Sequence, residues 1–158
     1  MKEVISRSDV PSPSLPFSAG IKANGFIVTA GQVGTDPRTG KLAGPDVATQ
    51  TRQTIANLRA ILEAGGSSLE QLVKTTVFLA DMRLFEEMNA VYRELIPEPR
   101  PGRSTVQASL ARPEILVEIE AVAVASKLLQ ALRSVGSRPW RTAASANRYI
   151  AALHAWRR

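Results

Sequence analysis

Two helical periods, each with its own stop, constrain this chain more than any other feature. Val47, Thr51, Ile55, Leu58 and Leu62 recur at the spacing of one helix face, and Gly65-Gly66 closes the run. Asp81 can cap a second helix, whose apolar face uses Phe85, Met88, Val91, Tyr92 and Leu95. Pro97, Pro99 and Pro101 forbid its continuation. Around these helices lie β-runs: FIVTAGQVG at 26–34, VKTTVFLA at 73–80, STVQASL at 104–110 and EILVEIEAVAVA at 114–125. PSPSLP near the start reads as irregular, and turn chemistry fills 35–46. Ser67-Ser68-Leu69-Glu70 reads as a capping box for a short helical turn. The order predicts an α+β domain: a mixed β-sheet with two helices packed on one face. Two helices cannot cover the other face as well, so self-association is expected.

With 158 residues the chain suits one compact domain. It has no cysteine, which removes disulfides, thiolate nucleophiles and cysteine zinc sites. Its single histidine, His154, leaves almost no material for a histidine triad or a multi-histidine metal site. The net charge of +6 is unevenly placed. Residues 1–126 hold thirteen Lys and Arg against all fourteen acids, whereas 127–158 hold seven basic residues and no acid. The division expected is therefore a near-neutral domain at 1–126 and a basic extension at 127–158, read as a poorly ordered tail or an amphipathic helix. A near-neutral body argues against nucleic acid as the main partner. No apolar run approaches the ~18–20 residues of a membrane span. The first residues lack the apolar core of a signal peptide, so a cytoplasmic protein is expected.

Glu118 and Glu120 interrupt the most apolar β-run, LVEIEAVAVAS, and strand alternation puts both on one face. Ala111-Arg112-Pro113 reads as a hairpin turn between the last two β-runs. That pairing would set Thr105 opposite Glu118 and Arg103 near Glu120, collecting the four into one polar patch. The patch could be an Arg103–Glu120 ion pair at a solvated sheet edge, worth about 0–1 kcal/mol. It could also bind an anion through the planar fork of Arg103 and move a proton through a glutamate whose setting raises its pKa.

The stretches PSPSLPFSAGIKANGFIVTAGQVGTDPRTG, DVATQTRQTIANLRAILEAGGSSLEQLVKTTVFLADMRLFEEMNAVYRELIPEPRPGRSTVQASL and VEIEAVAVA resemble the RidA (YjgF) family of reactive-intermediate deaminases. The resemblance runs from about residue 10 to 126. It implies a chorismate-mutase-like fold and a homotrimer with sites in clefts between subunits. It also implies hydrolysis of 2-imino acids and their enamine tautomers to 2-keto acids and ammonia, with neither cofactor nor metal. By position, Arg103 in PGRSTV matches the arginine that clamps the substrate carboxylate, and Glu118 in VEIEA the glutamate that handles the attacking water. Gly31 in TAGQ matches a backbone contact to substrate. Asn89 in EMNAVY matches a pocket asparagine, although it could equally hold a helix end or loop. Glu120 is expected in a structural ion pair.

Three positions depart from well-known members of the family: Phe17 stands for a pocket tyrosine, Ala30 for a serine and Thr105 for a cysteine. Phe17 and Ala30 make the pocket more apolar, so bulkier imino acids or weaker activity are expected. Alternatives of other classes are a small-ligand or protein-binding trimer of the same fold, and RNA binding or cleavage anchored by the basic tail. Retention of both Arg103 and Glu118 favours catalysis, since a binder needs only the first.

Overall fold

The computed structural model describes residues 1–6 and 16–125. Most of PSPSLP and the whole extension expected at 127–158 lie outside the described residues. The chain forms β1 (Lys2–Val4), β2 (Gly20–Ala23), β3 (Phe26–Thr29), β4 (Gln32–Val33), α1 (Val47–Ala64), β5 (Leu72–Leu79), α2 (Phe85–Leu95), β6 (Gly102–Gln107) and β7 (Val117–Val124). The strands make one mixed sheet in the order β1-β2-β3-β7-β5-β6, and β4 also pairs with β7. Both helices pack on one face, as their apolar periods require.

Local chemistry sets the helix ends. The Asp46 carboxylate accepts from the Thr49 N–H at the start of α1, and the chain leaves through Gly65 and a left-handed Gly66. Asp81 accepts from the Arg83 N–H and starts a 3-10 turn that runs into α2. Ile55, Leu58, Ile61 and Leu62 of α1 join Ile27, Val77 and Ile119 of the sheet in the core. Burying each such side chain fully is worth about 1.5–3 kcal/mol.

The opposite face of the sheet is bare in the protomer. Phe26, Val28, Val106 and Val124 stand 38 to 50% exposed there. Glu118 and Glu120 do share a face, and it is this bare one, while Val117, Ile119, Ala121 and Ala123 turn to the core.

The sheet corrects four expectations. The last two β-runs do not form a hairpin: β6 runs parallel to β5, β7 runs antiparallel to β5, and β5 lies between them. Joining β5 through α2 to a parallel neighbour is the ordinary helical crossover. FIVTAGQVG is also not one strand. Val28 pairs with Val122 and Gln32 with Ile119, so one extra residue is accommodated at a bulge around Ala30-Gly31. Ser67 does not act as the cap of a capping box; its hydroxyl donates to the Val124 carbonyl instead. Finally, β1 and β2 were not expected, yet Asn24-Gly25, both at positive φ, turn β2 into β3 as a two-residue hairpin.

Candidate active site

The seven expected site residues fall into two clusters, divided by the sheet. The first lies at the bulge. There the Ala30 N–H donates to the Ala19 carbonyl, which brings the segment carrying the half-exposed Phe17 alongside. Val33 pairs with Glu118, so the Glu118 side chain stands over the turn of chain at Gly31. A Cβ at position 31 would lie 1.8 Å from Glu118 Oε1, so only glycine leaves room for this carboxylate. Gly31 and Glu118 thus meet, with Ala30 adjoining them and Phe17 two residues along the chain from Ala19. Burial, and after it the charge of Glu120, raises the Glu118 pKa above its ordinary value of 4.5.

Two buried amides hold this cluster in place, and neither was expected. Asn57 Nδ2 on α1 donates to the carbonyls of Val33 and Thr35. Gln50, fully buried, donates to the carbonyls of Gly44 and Glu114 and accepts from the Leu116 N–H. Gly34 lies so close to α1 that a Cβ would meet the Gln50 backbone at 2.7 Å. The polar residues inside an otherwise apolar helix period were the available signal.

The second cluster lies on the helix face, at the β6 edge. Arg103 pairs with Thr75 and Thr105 with Val77, positions whose side chains face the helices. One N–H of Arg103 donates from Nη1 to Asn89 Oδ1 at 2.9 Å. The guanidinium carbon lies 4.7 Å from the centre of the Tyr92 ring and 5.6 Å from that of Phe85. Among the described residues no carboxylate pairs with Arg103. The expected ion pair with Glu120 is absent because Glu120 points to the bare face, where it lines a depression with Lys74, Thr76 and Val28. The hydroxyl of Thr105 is buried, with no hydrogen-bond partner among the described residues. An orphaned hydroxyl and an unpaired guanidinium on one edge suit a small anionic ligand.

Arg103 and Glu118 therefore do not form the single patch expected from a hairpin. Their strands are two ladder spacings apart, about 10 Å, and their side chains leave opposite faces. Among the described residues no group of three or more acidic or histidine side chains could hold a metal ion. No helix among them is long and apolar enough to cross a membrane.

A mixed sheet with two helices on one face, its other face bare and an arginine set at its edge, makes this an α+β protein of the chorismate-mutase-like kind. Residues 7–125 match the model of the family described as endoribonuclease L-PSP. A RutC family protein of Pyrococcus horikoshii is 46% identical over 123 residues, covering 78% of this chain and 98% of its own. The 2-iminobutanoate/2-iminopropanoate deaminase of Salmonella typhimurium is 36% identical over 127 residues, covering 78% and 98%. The crystal structure of Escherichia coli TdcF with bound serine superposes with a TM-score of 0.72 at 32% identity, covering 78% of this chain and 99% of that one. The chain belongs to the RidA (YjgF, L-PSP) family.

Proposed function

We propose that this chain hydrolyses reactive 2-imino acids and their enamine tautomers to 2-keto acids and ammonia, in a homotrimer whose sites lie between subunits. The observation that carries this reading is the Arg103 guanidinium, held by Asn89 at 2.9 Å with no carboxylate partner among the described residues. Relatives named as imine deaminases support it, as does serine bound in a homologue of the same fold. Subunits supply the two halves of the site: Arg103, Asn89 and Thr105 from one copy, and Glu118, Gly31, Ala30 and Phe17 from the next. The bare apolar face carrying Glu118 gives a second copy a surface to cover.

The chemistry asks little of the protein. Arg103 holds the substrate carboxylate by paired N–H bonds and fixes the imine carbon in place. Ionised Glu118 takes a proton from a water as its oxygen bonds to that carbon. That proton is returned to nitrogen to give the carbinolamine. Glu118 then takes the remaining hydroxyl proton and passes it to the amine as the C=O bond forms and the C–N bond breaks, so that ammonia and the 2-keto acid leave. Water is the only co-reactant.

An amino-acid oxidase can generate 2-imino acids in the presence of semicarbazide. Wild type should suppress semicarbazone formation, and Arg103→Ala and Glu118→Ala should not. Failure of wild type to suppress it with any imine would leave the family's fold serving as a ligand-binding module.

A further inference from the structure

We infer that Tyr92 is a positioning residue for Arg103, with Thr75 as its anchor. This rests on the reading of Arg103 as a carboxylate clamp. An arginine that binds a carboxylate through two parallel N–H bonds must present one edge of its plane in a fixed direction. A long side chain with four rotatable bonds does not hold that direction by itself. Asn89 accepts only one N–H, and a single bond leaves the plane free to swing about it. A flat surface beneath the guanidinium removes that freedom.

Tyr92 has the fixed position such a surface needs. It is 3% exposed, and its hydroxyl shares a 2.7 Å hydrogen bond with the hydroxyl of Thr75, itself buried. Thr75 is the ladder partner of Arg103. The arrangement closes on itself: Thr75 fixes the Tyr92 hydroxyl, the Tyr92 ring lies under the guanidinium, and Arg103 returns to the strand beside Thr75. Phe85, two turns earlier on the same face of α2, adds a second ring at 5.6 Å. Asn89 takes one Nη1 hydrogen and aromatic carbon lies against the guanidinium, which leaves the remaining N–H groups for a ligand. A buried phenol in a helix otherwise lined by Met88 and Val91 is explained by this bond, because core packing alone needs no hydroxyl there.

The test uses the full chain and 2-oxobutanoate, a 2-keto acid carrying the carboxylate that the clamp would hold. Tyr92→Phe keeps the ring; Tyr92→Leu removes it. Tyr92→Leu is expected to weaken 2-oxobutanoate binding about tenfold and to raise KM for imine similarly, with kcat little changed. Tyr92→Phe keeps the ring but loses its anchor, so binding should fall only about threefold below wild type, and Thr75→Val should lower it by a similar amount. Equal binding by the Leu and Phe variants, both folded, overturns the role of Tyr92. Should Tyr92→Leu not fold, the Nε–Hε resonance of Arg103 in wild type decides, assigned by its loss in Arg103→Lys. A ring-shifted, ordered signal supports the platform, and a freely rotating one at the random-coil position overturns it. Wild type that binds no 2-oxobutanoate overturns the clamp reading itself, a result separable from either outcome for Tyr92.

Discussion

The carboxylate of Glu118 fills the space that any side chain at Gly31 would need, with Oε1 only 1.8 Å from where a Cβ would stand. Gly31→Ala therefore displaces Glu118. The atom in the way is the far end of a flexible side chain, so the fold should survive with a melting temperature within a few degrees of wild type. The deamination rate should fall about a hundredfold, since the proton-handling group moves by an ångström or more. Calorimetry beside kcat/KM separates the two effects, and undiminished turnover would show that Glu118 does not act from this position.

Arg103 and Glu118 sit on opposite faces of one sheet, which makes subunit complementation a decisive measurement. Arg103→Ala and Glu118→Ala should each be inactive alone. Under the proposed function, the two variants co-expressed should form mixed trimers in which each site draws one residue from each of two neighbours. Random mixing then restores about a quarter of the wild-type activity. A mixture as inactive as its parents would place both residues in the same subunit's site or remove one from catalysis.

The raised pKa of Glu118 gives both activity and stability a pH dependence. As a base it works when ionised, so activity should rise with pH through a value above the ordinary 4.5. Glu120→Gln removes the second cause of the shift and should move that acid limb to lower pH. For stability the folded chain binds this proton more tightly than the unfolded chain does. Stability attributable to Glu118 therefore falls as pH rises from 4.5 through the folded value, and stays lower above it. Glu118→Gln should accordingly gain stability relative to wild type above that window and lose the advantage below it, as read from urea midpoints across pH.

Gln50 satisfies three backbone groups on two loops that otherwise have no partner in the core. Gln50→Leu keeps most of the volume and orphans all three. Chemical denaturation should show a loss of about 2–4 kcal/mol, with the midpoint falling at an unchanged slope.

Ala30 adjoins the Gly31 that Glu118 covers, Phe17 lies two residues from the Ala19 carbonyl that Ala30 bonds, and neither carries a hydroxyl. The imines of leucine or phenylalanine should be processed faster than those of alanine or 2-aminobutyrate. Phe17→Tyr with Ala30→Ser should move that ratio roughly tenfold toward the small substrates. Competition between two imines in one reaction measures it directly, and an unmoved ratio would clear both positions of any role in selectivity.

The helices were legible because Val47 to Leu62 and Phe85 to Leu95 carry one period each, with glycine or proline at the end. The placement of Glu118 and Glu120 on one face followed from alternation alone. Strand pairing was not legible. Ala111-Arg112-Pro113 looks like a hairpin turn, but whether two neighbouring strands pair depends on what α2 carries between β5 and β6, which no local signal records. The Asn24-Gly25 hairpin, by contrast, is written in the sequence, in a pair of residues that follows closely on the irregular, proline-rich segment. Tyr92 was read as core, and core it is; that its ring also faces Arg103 depends on the parallel register of β5 and β6.

The extra residue at Ala30-Gly31 works like a shift of reading frame along the strand. Upstream, odd-numbered residues such as Ile27 and Thr29 turn inward. Downstream, Gly34 lies against α1 while Val33 shares the face of Glu118. Substitutions here change one contact at a time. Loss of a single residue would instead exchange inside for outside along everything that follows to Gly34, so this short stretch tolerates a change of letter far better than a change of length.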